Sequence, residues 1–146
     1  MKNEKNLRAL VFERDEQVRN ALTRVLESFE VSVSSFANGD DALWGVREAG
    51  PDAYDIILLD HGIDGVLHRP THTGRRGDVI AVHLINKYPK CVNNIYVLIA
   101  SSDDDFYARY QEMGLNYLQK PISKSDFEAL IRNANLRKLR KKRLLN

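Results

Sequence analysis

The chain has 146 residues, of which 43% are hydrophobic and 29% charged, and its formal net charge is +2. This composition excludes an intrinsically disordered chain, because so apolar and charge-balanced a sequence can bury enough surface to offset its ordering entropy. A single cysteine, Cys91, excludes a scaffold held by internal disulfides, and no run approaches the ~20 apolar residues of a membrane span. We therefore expect one soluble, cytoplasmic domain without an N-terminal signal peptide.

The first part of the chain predicts three strands alternating with two helices. The predicted strands are residues 7–12, 31–36 and 54–59, and the predicted helices cover 18–29 and 40–49. The run at 54–59 is continuously apolar and ends at Asp60, which is typical of a strand buried on both faces.

The rest of the chain continues the alternation. The predicted strands are residues 95–100 and 116–119, and helices are expected from about Val79, after the N-cap signal at 101–103, and from a capping box formed by Ser125 and Glu128. The helix after 101–103 should bury a side that includes Tyr110 and Met113. Five strand–helix repeats with mostly short links predict an α/β domain, with a doubly wound five-stranded parallel sheet and helices on both faces.

Polar side chains with complementary chemistry follow the predicted strands. Glu13, Arg14 and Asp15 follow the first strand, Asp60 the third, Ser101 and Ser102 the fourth, and Lys120 and Pro121 the fifth. Because functional sites of open α/β sheets lie beyond the carboxyl ends of the strands, we expect these groups to converge. A carboxylate nucleophile, a hydroxyl and a cation together suit phosphoryl handling.

These motifs resemble those of response-regulator receiver domains, the phospho-acceptor modules of two-component signalling. The resemblance covers about residues 7–134 and rests on VFERDEQVRNAL, DIILLD, the hydroxyl after VLIA, and NYLQKPI. It implies a flavodoxin-like fold with strand order 2-1-3-4-5. We therefore expect a receiver domain at 1–134, with an extended loop at 61–77, followed by a basic C-terminal helical extension at 135–146.

The resemblance also implies roles for individual residues. Asp60 would be the phospho-acceptor, and Lys120 would pair with the phosphoryl oxygens. Pro121 would shape the following loop, commonly through a cis peptide. Ser101 would be the switch hydroxyl, unless Ala100 takes that place, and Tyr117 would be either the switch aromatic or simply a partly exposed strand tyrosine.

The metal site is where the chain departs from the family. Receivers usually bind Mg²⁺ through two adjacent acids and the acceptor aspartate, which implies Glu13, Asp60 and the backbone carbonyl of Gly62 here. The second acid is replaced by Arg14. An arginine within ~4 Å of Asp60 would gain ~1 kcal/mol in water and ~4 kcal/mol at intermediate dielectric, enough to compete with a weak metal site. Contact with Asp60 predicts a degenerate receiver. If Arg14 instead points away, Glu13 remains as a ligand, which predicts a working receiver with weakened Mg²⁺ affinity. Impaired metal binding is the favoured expectation.

The loop at 61–77 is a second departure, because its seventeen residues exceed the ~2–6 of such links. It is rich in His and Arg: His61, His68, Arg69, His72, Arg75 and Arg76. A zinc site matches no closed spacing motif, so a mobile lid, a docking surface or a disordered insertion is favoured.

The C-terminal stretch is strongly basic. Residues 132–146 carry seven basic side chains and no acid, which leaves residues 1–131 at −5. Leu136 and Leu139 fall off the apolar stripe of the preceding helix, so that face should rotate or the helix fray. A solvated end is favoured over contact with nucleic acid or an anionic membrane, and a dedicated DNA-binding domain is not expected.

The expected function is a receiver that accepts a phosphoryl group on Asp60 from a histidine kinase or phosphotransfer protein and switches a surface for an effector. It would not be an enzyme beyond its own phosphorylation and dephosphorylation, and the family implies a possible homodimer through the last two helices. The alternative is a phosphorylation-independent pseudo-receiver that acts as an interaction module. A nucleotide or flavin binder is disfavoured by the acidic first loop, and a hydrolase by the lack of a Ser–His–acid set.

Overall fold

The computed structural model describes residues 6–50, 52–61, 77–99 and 104–145, with only the backbone of 104–107 and of Leu145. Five strands form one sheet, in which all neighbouring strands are parallel and the order is β2-β1-β3-β4-β5. The strands are β1 (Arg8–Phe12), β2 (Ser32–Phe36), β3 (Ile56–Asp60), β4 (Ile95–Ile99) and β5 (Asn116–Gln119). The predicted fold class and strand order are confirmed.

Five α-helices alternate with the strands. They are α1 (Glu16–Ser28), α2 (Gly39–Ala49), α3 (Gly77–Lys87), α4 (Asp104–Met113) and α5 (Lys124–Leu145), and a short 3₁₀ helix (Pro89–Asn94) lies between α3 and β4. One core cluster packs α1 and α5 on the sheet through residues such as Leu26 and Phe127. The other packs α2, α3 and α4 on the opposite face through residues such as Leu43, Leu84 and Tyr110.

The pairing of the central strands β1 and β3 determines where the carboxylates of Glu13 and Asp60 lie. All five residues of β3 are buried, because helices cover both faces of the strand, as the continuous apolar run predicts. Leu10 on β1 lies beside Ile57 of β3, and the two strands end close together at Phe12 and Leu59. The residues that follow β1 and the last residue of β3 therefore meet at the same edge of the sheet.

Side-chain hydrogen bonds cap the N-termini of α1 and α5. The Asp15 carboxylate accepts a hydrogen bond from Val18 N at the start of α1. At α5 the predicted box of Ser125 and Glu128 is wrong. The reciprocal pair lies two residues earlier, where Asp126 N donates to Ser123 Oγ and Ser123 N donates to Asp126 Oδ2.

The C-terminal helix also differs from the expectation. Leu136 and Leu139 are exposed, as their position off the stripe predicts, but α5 does not fray and is continuous to Leu145. One contact that holds this helix is the hydrogen bond that Lys138 Nζ donates to the carbonyl oxygen of Asn6 at 2.9 Å. On α4, Tyr110 is buried as predicted, whereas Met113 is 43% exposed. No helix in the described part of the chain is long and apolar enough to cross a membrane.

Candidate functional site

The carboxyl ends of β1, β3 and β5 bring four charged side chains together. Glu13 and Arg14 follow β1, Asp60 ends β3, and Lys120 follows β5. Two backbone hydrogen bonds prolong the sheet at this edge: His61 N donates to Leu98 O and Lys120 N donates to Ile99 O. The backbones that carry Asp60 and Lys120 are therefore held by the sheet itself.

Lys120 lies between the two carboxylates. Its Nζ is 3.0 Å from Asp60 Oδ1 and 2.5 Å from Glu13 Oε1. Glu13 is buried almost completely, and the side chain of Asp60 is only 8% exposed. The ammonium held between them stabilises the two buried carboxylates. Removing one partner of a buried ion pair costs roughly 3–5 kcal/mol.

Burial and the neighbouring charges shift the pKa values of Glu13 and Lys120. Burial raises the pKa of Glu13, the Asp60 carboxylate raises it further, and the attraction of Lys120 does not cancel the increase. Burial of the Lys120 ammonium lowers its pKa, but attraction by Asp60 and Glu13 outweighs this, so the pKa is raised overall. Lys120 is therefore a permanent cation at neutral pH.

Arg14 points into the site. Its backbone N–H and its Nε each donate to Asp60 Oδ2 at 3.4 Å, and its side chain is 18% exposed. Of the two orientations considered from the sequence, the structure has the one in which Arg14 contacts Asp60. The Asp60 carboxylate is thus contacted by Lys120 on one oxygen and by Arg14 on the other.

The arrangement does not fit a Mg²⁺ site of the expected kind. Mg²⁺ needs oxygen ligands at about 2 Å in near-octahedral geometry. Each oxygen of Glu13 and Asp60 instead lies near a nitrogen, because Asp15 N donates to Glu13 Oε2 at 3.1 Å and the other three face Lys120 or Arg14. Among the described residues there is no group of three or more His, Cys, Asp or Glu that could hold a metal ion.

Gly77 lies directly against the end of β3. A Cβ atom added at Gly77 would be 2.1 Å from the carbonyl oxygen of Asp60, so only glycine fits at the start of α3. This close approach fixes how α3 passes Asp60. The sequence pattern predicted the helix near this point but not the contact.

His61, which the sequence analysis placed at the start of the long loop 61–77, is buried. It is 3% exposed, its Nδ1 contacts the hydroxyl of Tyr110, and the two rings meet edge to face with centroids 5.7 Å apart. The ring centroid of Tyr110 in turn lies 6.3 Å from that of the half-buried Tyr117 on β5. A row of three rings therefore connects the residue after Asp60 with β5. The apolar spacing of α4 indicated that Tyr110 is buried, but gave no sign of its partner.

Several predicted site residues lie outside the described part of the chain. They are Gly62, His68, Arg69, His72, Arg75, Arg76, Ala100 and Ser101. The metal role of Gly62, the switch role of Ser101 and the interpretations of the long loop therefore stay predictions. Pro121 follows Lys120 through a cis peptide bond, as the resemblance implied.

No protein-family model and no curated protein matches the sequence of the chain. Comparison of structures is informative. A response-regulator receiver domain from Clostridium thermocellum superposes with a TM-score of 0.74 at 20% identity, covering 96% of this chain and 99% of that one. The receiver domain of the Francisella response regulator 1452 gives 0.69 at 20% identity, with 91% and 99% covered. The signal receiver domain of a modulated diguanylate cyclase from Desulfovibrio desulfuricans G20 gives 0.64 at 26% identity, with 97% and 99% covered.

Proposed function

Because the chain has the fold of response-regulator receiver domains, we propose that Asp60 accepts a phosphoryl group from the phosphohistidine of a histidine kinase or phosphotransfer protein. One observation carries the proposal: Lys120 Nζ lies 3.0 Å from Asp60 Oδ1, where β3 and β5 place an ammonium beside a nearly buried carboxylate. A cation held there favours the negative charge that develops when a phosphoryl group arrives.

The transfer balances without a further reactant. One Asp60 oxygen forms the new O–P bond while the N–P bond of the donor breaks. The electron pair of that bond goes to the imidazole nitrogen. Because the other ring nitrogen carries a proton, the leaving group is neutral histidine. Lys120 then pairs with the phosphoryl oxygens, because its raised pKa keeps it charged.

Phosphorylation would replace the single negative charge of the Asp60 carboxylate by the roughly −1.5 to −2 charge of an acyl phosphate, in a site where two cations already contact that carboxylate. We propose that the new charge moves Lys120 and the ring row of His61, Tyr110 and Tyr117, and thereby changes the surface of α4 and β5 that an effector binds. Pairing of two copies through α4 and α5, and a cytoplasmic location, belong to the same proposal. In this function the chain is a signalling phospho-acceptor and not a multiple-turnover enzyme.

The alternative is a pseudo-receiver that binds partners without being phosphorylated. One observation favours it: the two acids Glu13 and Asp60 are balanced by the two bases Lys120 and Arg14. A site whose charges already neutralise one another gains less from binding a metal or a phosphoryl group.

Acetyl phosphate distinguishes these two functions. The full chain is incubated with it, in Mg²⁺ and in EDTA, and intact mass is measured. We expect one added phosphoryl group, lost in Asp60→Asn and retained in Asp52→Asn, a control carboxylate on the surface that is 79% exposed. A wild-type protein that stays unmodified under both conditions would overturn the proposal in favour of the pseudo-receiver.

A further inference from the structure

The guanidinium of Arg14 contacts Asp60 from the sequence position at which the family usually carries its second metal-binding acid. Arg14 contacts Asp60 Oδ2 through both its backbone N–H and Nε, while Lys120 contacts Oδ1. Both oxygens of the acceptor carboxylate are therefore in contact with positively charged residues. Whichever oxygen attacks phosphorus, a cation that belongs to the chain itself stays beside it.

The segment that carries Arg14 is fastened on two sides. Arg19, one turn into α1, donates through Nη1 to the carbonyl of Glu13 at 2.8 Å and to the carbonyl of Arg14 at 3.4 Å. On the other side, Asp15 N donates to the buried Glu13 carboxylate. Because these contacts hold the backbone, the Arg14 side chain starts from a defined position, and a preorganised cation loses little on meeting a new charge.

We propose that Arg14 is a catalytic residue that replaces the divalent cation, so that phosphorylation of Asp60 proceeds without Mg²⁺. This inference rests on the proposed function. Arginine suits the role, because its planar guanidinium stays charged and offers several N–H donors to phosphoryl oxygens at once. With acetyl phosphate, an Asp60 oxygen forms the O–P bond, the bridging O–P bond of the reagent breaks, and acetate leaves with its electron pair.

The initial rate of acetyl phosphate labelling, measured by intact mass in EDTA and in Mg²⁺, tests the proposal. We expect the wild-type rate to be unchanged by EDTA. Arg14→Gln should lose about 100-fold or more of the rate in EDTA, as expected when one charge-stabilising donor is removed. Arg14→Lys should keep part of it, because the charge remains. Arg24→Gln is the matched control, since Arg24 is an exposed arginine on α1 and its loss should leave the rate unchanged.

A second measurement does not depend on phosphorylation. Arg14→Asp restores a pair of adjacent acids beside Asp60, so millimolar Mg²⁺ should raise its melting temperature, as a ligand that binds only the folded state does. The melting temperature of the wild-type protein should not respond to Mg²⁺.

The outcomes separate the two proposals. Labelling of the wild type that requires Mg²⁺, or a rate in EDTA that Arg14→Gln leaves intact, would overturn the role of Arg14 while supporting Asp60 as the acceptor. A wild-type melting temperature that Mg²⁺ raises would also overturn it. No labelling of any variant under either condition would overturn the proposed function itself.

Discussion

The hydroxyl of Tyr110 on α4 contacts Nδ1 of His61, the residue that directly follows Asp60. Both side chains are buried, at 1% and 3% exposure. The contact joins the end of β3 to the helix that covers it, so the position of α4 and the conformation at the end of β3 depend on each other. This gives the receiver fold of the chain a polar link inside an otherwise apolar core.

Removal of that hydroxyl should destabilise the protein. Tyr110→Phe keeps the packing but withdraws the partner of a buried imidazole nitrogen, which should lower the free energy of unfolding by about 1–3 kcal/mol. The measurement is urea denaturation at neutral pH. Tyr96→Phe is the control, because the Tyr96 hydroxyl makes no hydrogen bond with the described residues, and it should cost less than ~0.5 kcal/mol. Equal losses in the two variants would show that the His61 contact contributes nothing.

Glu13 should make stability fall as pH rises from acid toward neutral. Its pKa in the folded protein is raised above the ordinary value of 4.5, so the folded state binds the proton more tightly than the unfolded chain. The contribution of Glu13 to the free energy of unfolding is therefore most favourable below pH 4.5, and this contribution is lost once the pH exceeds the raised pKa. Urea denaturation of the wild type and Glu13→Gln across this range should show the wild type losing stability relative to the variant as pH rises. A relative gain with rising pH would contradict the shift.

Gly77→Ala should disturb the end of β3. The added Cβ would lie 2.1 Å from the backbone oxygen of Asp60, which cannot yield like a flexible side chain, so we expect a loss of about 1–3 kcal/mol or more. Gly114→Ala is a useful comparison, because Gly114 has a φ of +71° but open space around it, and its cost should be confined to about 1–2 kcal/mol of backbone strain. In acetyl phosphate labelling, only Gly77→Ala should slow the reaction, and an unchanged rate would show that α3 can shift without moving Asp60.

Two lysines of α5 should differ in their effect on stability. Lys138 Nζ donates to Asn6 O at 2.9 Å and lies 3.5 Å from Asp55 Oδ2, whereas Lys141 pairs with Asp52 and both partners are mostly exposed. Lys138→Ala should cost about 1 kcal/mol, and Lys141→Ala no more than a few tenths of a kcal/mol, because an exposed ion pair is screened and entropically costly. Denaturation of both variants in low salt measures the difference. If Lys141→Ala were the more destabilising, the body of the protein would not hold α5 through Lys138.

The alternation of strands and helices could be predicted from the sequence, because burial leaves a periodic trace. Continuous apolar residues such as those before Asp60 mark a strand covered on both faces, and spacings of three and four mark helices with one buried side. The same logic placed Asp60 and Lys120 at one edge of the sheet, since the carboxyl ends of parallel strands meet there. Local hydrogen-bonding choices were less predictable: both Ser123 and Ser125 precede an acid by three residues, and only the folded turn selects the first.

The sequence by itself thus determined the layers of the fold and the edge at which its charged groups gather. Only the tertiary structure decided how those groups pair. The Arg14 side chain contacts Asp60, which lies on a different strand, and the buried His61 contacts Tyr110 on α4. Periodicity reports which residues face the core, whereas a pairing between distant side chains depends on the distances that packing of the whole sheet and its helices sets.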